Sequence, residues 1–584
     1  MNTRADTLVC IDQSGRRSRN LRALVERLGL TSAQSTRSGK SSEKGSSRMA
    51  TRGSYRKARG ETRVFPRGET ATRDAIVYAI TKPLAHCGTT RAAAPGGGTM
   101  SSAVSARPPG GQHRDPELTP TKDQPKAGAL GLTSATMLVI GTVIGAGVFT
   151  MPAVLASAGT ISLAVLAVIA VGAMVLAILF GQLTRRVPNS DGGLYAYARY
   201  EFGDFAGYLT GWCYWVQAWA GNAAIVSSWV FYCDALFGIN PSGLGNWGIA
   251  LVGLWIPAGI NLAGLRQTAW IQNITVVLKY LPLLFVAVVG WFFISKANFG
   301  AFNASGGSLY SAIGIAAGVA LFSFIGVETA AITAKRVKDP RRNVGRASLL
   351  GTGAAAIVYL AVSAAVMGLV SHHALVNNGA PFVNAFQTIF PHTSWAGKLV
   401  AALAAVSGFG ALIGWTLVTA EVSRAQASDR LFPAPFAWTN RNGTAWFGVV
   451  IAALLPTLLM LWRYTTSSGL TIFTYLVDLT VVTVAIPYLF SACAQLTYLV
   501  AKRRPVQGWA LTRDLTITVA AVLFSLWVTF AAGYSAVYQA MVVVLAGIIL
   551  YAFVRAHREP VSVVPAPADP AAAVTRGENP EEPS

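Results

Sequence analysis

The chain has 584 residues, of which 53% are hydrophobic and only 12% are charged, and its formal net charge is +22 at pH 7. So few charged residues over this length exclude a soluble globular protein and indicate a membrane protein. The sequence has no H-E-x-x-H motif or similar cluster of the kind that a membrane-embedded enzyme needs, and its cysteines have no metal-ligand spacing, so it predicts neither catalysis nor a bound metal or cofactor.

Residues 1–130 do not share the apolar character of the rest. They contain 23 Lys and Arg against 10 Asp and Glu, and they are rich in Ser, Gly and Thr. The segment has no apolar h-region of the kind found in a cleaved secretory signal. It also lacks the apolar surface needed to fold alone, so the sequence predicts a disordered basic tail. Its charge suits anionic lipid, whereas no aromatic pattern supports binding to nucleic acid. Translation starting at Met100 is an alternative, in which residues 1–99 are not made.

From Leu132 onward, the sequence predicts a transporter domain over residues 131–557 that crosses the lipid bilayer. Its apolar spans have about 20 residues each, the length that a bilayer demands. We predict twelve, at 133–156, 161–184, 205–237, 246–265, 270–294, 309–333, 347–371, 395–420, 445–462, 470–499, 514–531 and 535–555. Residues 558–584 are rich in Pro and Ala and then acidic, which predicts a second disordered tail.

Basic residues are distributed unevenly between the two sides of the membrane. With twelve spans, the loops of one side carry nineteen Lys and Arg, and those of the other carry only Lys296, Lys398 and Arg463. Basic loops stay in the cytoplasm, so this bias predicts a multi-pass protein of the cell membrane with both termini cytoplasmic.

The first span contains the stretch Gly141–Phe149, in which Gly141, Gly145 and Gly147 interrupt an apolar run. Each glycine costs about 1 kcal/mol relative to Ala inside a helix. Unwound backbone in a bilayer is tolerated only where protein or a water-filled cavity satisfies it. The stretch therefore predicts either a close helix contact, since Gly141 and Gly145 form one G-x-x-x-G match, or a broken helix that exposes backbone groups to a ligand.

A second interrupted stretch, Phe322–Glu328, lies in span 6 and ends in a carboxylate. Glycine-interrupted spans at corresponding positions of two halves indicate the binding site of a transporter built from an inverted repeat. The pairing of spans 1 and 6 therefore favours the broken-helix interpretation.

Five motifs in chain order carry a resemblance to a known family. They are Gly141–Phe149 with Met151-Pro152 after it, Gly192–Tyr197, Tyr214-Trp215 through Gly221-Asn222, Phe322–Glu328, and Ser428–Pro433. Together they resemble the amino acid–polyamine–organocation superfamily, and the third resembles its basic amino acid/polyamine antiporter branch, of the arginine/agmatine antiporter type. The resemblance runs from about residue 130 to about 555. It implies an all-α integral membrane fold of twelve transmembrane helices, in which spans 1–5 and 6–10 form an inverted five-helix repeat with helices 1 and 6 broken.

The resemblance implies a substrate site at the two breaks. Backbone N–H groups at the positive end of a half-helix suit a substrate carboxylate, and these would belong to Ala146, Gly147 and Val148. The carbonyls that would face an ammonium belong to Val143, Ile144 and Phe322. The second break also contributes Ser323 and Ile325. Thr142 and Ala146 replace an asparagine and a serine of the antiporter, which removes one hydroxyl contact.

The side chains implied for the rest of the pocket come from spans 3, 6 and 8. Phe322 takes the position of an aromatic gate that can cover an ammonium or stack on a guanidinium, and Trp415 flanks the side-chain pocket. Tyr214 and Asn222 match polar positions of helix 3, and Gln217 replaces a small residue. Ordinary packing for the two aromatic residues, and interhelical hydrogen bonding for Asn222, remain alternatives.

Three ionisable residues inside the spans are candidates for proton coupling or gating: Glu328, Lys279 and Asp478. Each is costly in lipid and therefore a functional hypothesis. Glu328 matches the family glutamate linked to proton-dependent opening. Lys279 resembles the lysine of sodium-independent relatives, either carrying the proton or statically tying span 5 to span 1. Asp478 would complement a cationic substrate or pair with a neighbour, and Asp234 is discounted because it lies near the end of span 3.

The sequence thus predicts a sodium-independent secondary transporter of amino acids, working by proton symport or by amino acid/amine exchange with alternating access. The partners are a small-molecule amino acid or amine and protons. Arginine, ornithine, lysine or a polyamine is the narrower alternative, a neutral amino acid is another, and a nutrient sensor without flux is an alternative of a different class. The resemblance is also compatible with a homodimer.

Overall fold

The computed structural model describes residues 130–187, 193–239, 241, 243–467, 469–501, 506 and 508–556. Both predicted tails, the alternative start at Met100 and the first glycine of the Gly192–Tyr197 motif lie outside the described residues. Over the described ranges the regular secondary structure is helical, apart from an isolated bridge between Leu130 and Val337.

The α-helices are named here in chain order. The first half contains α1 (Leu132–Val143), α2 (Met151–Ala158), α3 (Ile161–Arg186), α4 (Leu194–Phe202), α5 (Asp204–Phe237), α6 (Gly243–Ala263) and α7 (Leu265–Val288). The middle contains α8 (Leu309–Phe324), α9 (Thr329–Ile332), α10 (Pro340–Leu369), α11 (His372–Val376), α12 (Pro381–Ile389) and α13 (Trp395–Ser428). The last part contains α14 (Trp446–Thr466), α15 (Leu470–Val500), α16 (Trp509–Ala531) and α17 (Tyr534–Ala556).

Within the described residues, nine helical segments are long and apolar enough to cross a membrane. They are α3, α6, α8 together with α9, α10, α13, α14, α15, α16 and α17. Span 1 is instead split into α1 and α2, and the apolar part of span 5 is the shorter Val277–Val288. The segment predicted as span 3 forms the 34-residue helix α5, whose many Trp, Tyr and amide side chains make it less apolar than the nine.

Several predicted span boundaries differ from the helices observed. α10 begins at Pro340, before the predicted 347, because proline is favoured in the first turn of a helix. α13 continues to Ser428, past the predicted end at 420. α7 ends at Val288, before the predicted 294, and passes into a 3-10 turn at Gly290–Phe293. The length of an apolar run in the sequence shows only the part of a helix that lies in the hydrocarbon core. The helices themselves continue into the polar regions beyond it.

Small residues allow the helices to pack closely. A Cβ added at Gly181 on α3 would lie 2.4 Å from the Cα of Gly345 on α10, so the two backbones touch there. Close approach through small residues is the usual basis of helix packing in membranes. α5, α10, α13 and α15 pack around the two interrupted spans and bury them.

Candidate functional site

The first span is broken immediately after Val143. Ile144 and Gly145 leave the helical conformation (ψ of 84° and −170°), and the chain then forms a 3-10 turn at Ala146–Phe149 before α2 begins at Met151. α1 therefore ends, and a second half-helix begins, inside the protein. Their carbonyl and N–H groups lack the partners of a continuous helix and are available to other groups.

The sixth span is broken at the corresponding point, and the two breaks meet. α8 ends at Phe324, and Gly326 adopts a φ of +116°, which a residue with a side chain rarely tolerates. A Cβ at Gly326 would lie 3.1 Å from the backbone of Thr142 and Val143. A glycine is therefore required here both for its conformation and for the contact between the breaks. The broken-helix interpretation of both stretches agrees with this geometry.

Tyr359 of α10 holds the two breaks together. Its buried hydroxyl lies 2.7 Å from the carbonyl oxygen of Val143 and 2.9 Å from that of Ser323. Tyr359 belongs to none of the five motifs, so the sequence did not predict its role. The one available signal was a tyrosine in the middle of an apolar span, where its hydroxyl needs a partner.

A cavity lies where the breaks meet. Nine of the predicted substrate-binding residues line it: Thr142, Val143, Gly147, Val148, Gln217, Phe322, Ser323, Ile325 and Trp415. Its wall also includes five residues that were not predicted as ligand contacts: Gly145, Ala218, Gly221, Ile225 and Tyr359. Two segments far apart in sequence thus converge on one space with mostly apolar walls, which is typical of a small-molecule site.

Of the other four predicted substrate contacts, three do not line the cavity, and the side chain of the fourth is not described. Ile144 is fully buried and does not line the cavity, and the side chain of Ala146 is not among those described. Tyr214 donates its hydroxyl hydrogen to Glu328 and does not reach the cavity. Asn222 is fully buried on α5, and within the described structure neither polar atom of its amide has a hydrogen-bond partner.

The hydroxyls at the cavity are already engaged. Thr142 donates to the carbonyls of Leu138 and Val139 in its own helix, and Ser323 donates to that of Val319. By contrast, Nε2 of Gln217 is buried and has no partner within the described structure, so this amide is free to bind a ligand in the cavity that it lines. Its role as a substrate contact stays a prediction.

Phe322 forms the aromatic cover of the cavity. Its ring is 9% exposed and contacts Phe473 of α15 edge-on, with the ring centroids 6.2 Å apart. The ring also leaves no room for a side chain at Gly147 and lies at contact distance from Gly221. An aromatic face in this place can cover a substrate cation.

A second cavity is lined by Lys279 and shares Thr142, Gly145 and Trp415 with the first. Lys279 is 4% exposed, and its ammonium donates a hydrogen bond to the carbonyl oxygen of Gly141, near the end of α1. The carbonyl end of a helix carries partial negative charge, so a cation is favourable there. The predicted tie between span 5 and span 1 therefore exists as a contact.

Glu328 is completely buried between three elements. One carboxylate oxygen accepts from the Tyr214 hydroxyl at 2.8 Å, and the other accepts from the Tyr488 hydroxyl at 2.9 Å and from the Gly326 N–H at 3.2 Å. These three donors join α5, α15 and the second break at one carboxylate. Glu328 does not line either cavity.

Asp478, the third ionisable candidate, lies on α15 and faces α8. Its Oδ1 would be 2.6 Å from a Cβ added at Gly318, so the carboxylate lies against the backbone of α8 there. In the described part of the chain, Asp478 makes no ion pair or hydrogen bond. The three candidates are therefore not one cluster: Lys279 lies at the end of α1, Glu328 at the second break, and Asp478 beside α8.

Comparison with known proteins identifies the same region of the chain. Residues 130–554 match the family model described as amino acid permease. The putrescine transporter PotE of Haemophilus influenzae is 32% identical over 432 residues, which are 74% of this chain and 98% of that protein. PotE of Escherichia coli K12 is 30% identical over 441 residues, 75% of this chain and 98% of the relative. The cadaverine/lysine antiporter of the same strain is 32% identical over 335 residues, 57% of this chain and 74% of the relative.

Proposed function

The chain belongs to the amino acid permease family, and on that premise we propose that it is a sodium-independent secondary transporter which exchanges cationic amino acids or amines by alternating access. The family and the relatives named above are permeases, transporters and antiporters, so the chain is a membrane transporter and not an enzyme.

One observation carries the proposal: two helix breaks, one in each half of the domain, enclose a single cavity. Broken helices at corresponding positions of an inverted repeat present N–H groups to substrate carboxylates and carbonyls to cations. The cavity has carbonyls, an unpartnered amide nitrogen at Gln217 and an aromatic cover at Phe322. The carbonyls and the aromatic ring suit an ammonium group, and the Gln217 N–H donors suit an acceptor such as a carboxylate.

The substrate class is proposed from the relatives and from the aromatic residues. The relatives are described as transporting putrescine and as exchanging cadaverine and lysine, all of which are cations at neutral pH. Phe322 and Trp415 line the cavity with faces that attract cations. These features favour a cationic amine or amino acid over a neutral one.

Sodium independence is proposed from Lys279. Its ammonium already supplies a positive charge beside the carbonyl of Gly141, at the end of the broken helix. A sodium ion bound at the same place would meet a like charge in a nonaqueous setting, which is strongly unfavourable. We propose that Lys279 replaces the coupling ion and that Lys279, together with Glu328, responds to protons during opening.

The proposed membrane arrangement has twelve spans. Nine of these spans are the long apolar segments, and the other three are the broken α1–α2 unit, α5 and α7. Spans 1–5 and 6–10 form the inverted repeat. The excess of Lys and Arg in alternate loops supports cytoplasmic termini and a place in the cell membrane.

Counterflow in proteoliposomes tests the function. Purified protein is reconstituted with unlabelled putrescine, lysine, arginine or buffer inside, and uptake of each radiolabelled compound is measured with and without sodium. Exchange predicts uptake that requires internal substrate and is unchanged by sodium. Uptake into empty vesicles that follows an imposed pH gradient would replace exchange by proton symport, and substrate binding without any uptake would indicate a sensor.

A further inference from the structure

The start of α10 and the loop before it carry the densest group of basic side chains in the described structure. Six of the twelve residues at 335–346 are Lys or Arg, and Asp339 is the one acidic residue among them. All six basic side chains are exposed, and we call them the basic α10 surface: Lys335, Arg336, Lys338, Arg341, Arg342 and Arg346. A basic cluster of this size beside a membrane-spanning helix attracts anionic lipid.

The charges of the basic α10 surface are not neutralised by neighbouring carboxylates. In the proposed membrane arrangement, other arginines on the same side are held in ion pairs, as Arg186 is by Asp514 and Arg424 is by Glu421. In the part of the chain that the structure describes, the five members of the surface that follow Lys335 make no ion pair. Their positive charge is therefore available to a partner outside the described chain.

The backbone that carries these side chains is held in place by hydrogen bonds. The N–H of Leu130 donates to the carbonyl oxygen of Arg336 at 2.8 Å, and the carbonyl oxygen of Leu130 accepts from the N–H of Lys338 at 2.8 Å. The side-chain amide of Asn343 donates to the carbonyl oxygen of Lys338 at 2.6 Å. Because the loop is already ordered, binding at the basic α10 surface costs less conformational entropy than binding to a flexible basic segment.

One face of α10 joins two of these arginines to an apolar stripe. Arg342, Arg346, Leu349, Leu350 and Ile357 are all exposed and follow one another at spacings that place them on the same side of the helix. Arg346 and Ile357 are separated by roughly 16 Å along the helix axis. This is close to half of a hydrocarbon core of about 30 Å, so the stripe has the depth of one leaflet.

We propose that this face of α10 is the docking surface for an anionic phospholipid of the cytoplasmic leaflet. The phosphate lies between Arg342 and Arg346, whose guanidinium groups form charge-assisted hydrogen bonds with phosphate oxygens. The acyl chain follows Leu350 and Ile357. The remaining members of the basic α10 surface favour a lipid with net negative charge over a zwitterionic one, in which the ammonium of the headgroup cancels the charge of the phosphate.

The occupant is a lipid and not a soluble anion, because the apolar stripe continues directly from the arginines. A soluble phosphate would use only the charged end of the face and would leave the stripe without a role in binding. The inference goes beyond the proposed function and does not depend on it, since it concerns the surface toward the bilayer and not the cavity at the two breaks. Lipid binding and transport can therefore be measured separately.

The test measures binding of a fluorescent phosphatidylglycerol to purified full-length protein in detergent. Unlabelled phosphatidylglycerol, phosphatidylcholine and inorganic phosphate are the competitors. The double variant Arg342→Gln/Arg346→Gln removes the two arginines, and Arg342→Lys/Arg346→Lys keeps their charge. The matched control is Arg441→Gln/Arg555→Gln, which removes two exposed arginines from the same side of the membrane. Thermal unfolding without added lipid reports on folding.

For Arg342→Gln/Arg346→Gln we expect phosphatidylglycerol affinity to fall about thirtyfold, since each basic residue near an anionic lipid contributes a factor of roughly five. The double lysine variant should retain most of the affinity, and the control should retain all of it. In the wild type, phosphatidylglycerol should displace the labelled lipid, whereas phosphatidylcholine and inorganic phosphate should not. If the double glutamine variant does not fold, the single variants Arg342→Gln and Arg346→Gln decide, and each should lose about fivefold.

Three results would overturn the proposal. Equal losses in the control and in Arg342→Gln/Arg346→Gln would mean that only the total charge on this side matters. Displacement of the labelled lipid by inorganic phosphate would mean that the arginines bind an anion without its acyl chain. Displacement by a peptide of residues 577–584, which carry three Glu, at lower concentration than phosphatidylglycerol would assign the surface to the acidic end of this chain.

Discussion

The ring of Phe322 occupies the space in which a side chain at Gly147 would lie. A Cβ at Gly147 would be 2.6 Å from Cε1 of Phe322, closer than such atoms approach in real structures. The glycine of the first break thus sets the position of the aromatic cover that the second break contributes. The two breaks are matched to each other as well as to a ligand.

Gly147→Ala should therefore displace Phe322 and weaken substrate binding. Overpacking of this kind costs about 1–3 kcal/mol, which corresponds to a change of roughly tenfold to a hundredfold in affinity if the ring must move before the ligand binds. The measurement is binding of radiolabelled amine to purified protein. The second variant Phe322→Leu, combined with Gly147→Ala, should recover part of the affinity, because the clash is removed. Additive losses in the double variant would contradict this explanation.

Gly145→Ala should behave differently from Gly147→Ala. A Cβ at Gly145 would meet no atom within 4 Å, and the residue lines both cavities. Its φ of −87° is accessible to any residue, so the free energy of unfolding should change by no more than about 0.5 kcal/mol. Affinity should fall progressively from Gly to Ala to Val as the side chain fills the cavity. Unchanged affinity in Gly145→Val would mean that the substrate does not approach this break.

Lys279→Ala should remove the tie between α7 and the end of α1. The Gly141 carbonyl then loses a charged donor, and such hydrogen bonds contribute about 1.5–3 kcal/mol. We expect exchange to slow and the exchange that remains to become insensitive to pH. Counterflow measured at several external pH values, with and without sodium, tests this, and Lys296→Ala in an exposed loop is the control. If Lys279→Ala keeps the pH dependence of the wild type, the proton role passes to Glu328.

In Glu328→Gln, an amide NH₂ group takes the place of a carboxylate oxygen that now accepts a hydrogen bond. The NH₂ group would face a donor, so this hydrogen bond is lost and the second break should loosen. Tyr488→Phe removes only the hydroxyl at 2.9 Å and should have a smaller effect, about 1.5–3 kcal/mol on the free energy of unfolding. Since both changes affect one network, their effects should be strongly non-additive in a double-mutant cycle. Thermal unfolding in detergent and uptake at several pH values are the readouts. Additive effects would show that Tyr488 and Glu328 act independently.

The glycine pattern made the two helix breaks and most of the cavity wall predictable. Gly141–Phe149 and Phe322–Glu328 lie at corresponding positions of the two halves, and helical propensity opposes a regular helix through the first. The sequence could also identify Lys279 and Glu328, because charged residues inside apolar spans stand out. These inferences depend on local composition, which a single sequence displays directly.

What the sequence could not predict depends on contacts between distant elements. Tyr359 is an ordinary residue of an apolar span until its hydroxyl is found between two carbonyls from different breaks. Tyr214 was predicted to contact substrate, whereas the structure shows it bound to Glu328, because neighbouring polar positions on α5 face different elements. Helix ends were also imprecise, since apolar length does not include the turns that extend beyond the hydrocarbon core.

Tyr359 has two carbonyl neighbours but a single hydroxyl hydrogen. At any moment it can donate to Val143 or to Ser323, and the other oxygen then goes without that donor. The Val143 carbonyl also accepts from the Gly145 N–H at 2.8 Å, so the Tyr359 hydrogen can go to Ser323 while Val143 keeps a donor of its own. An ammonium group brings three hydrogens, so a bound substrate can add a donor to both carbonyls at once.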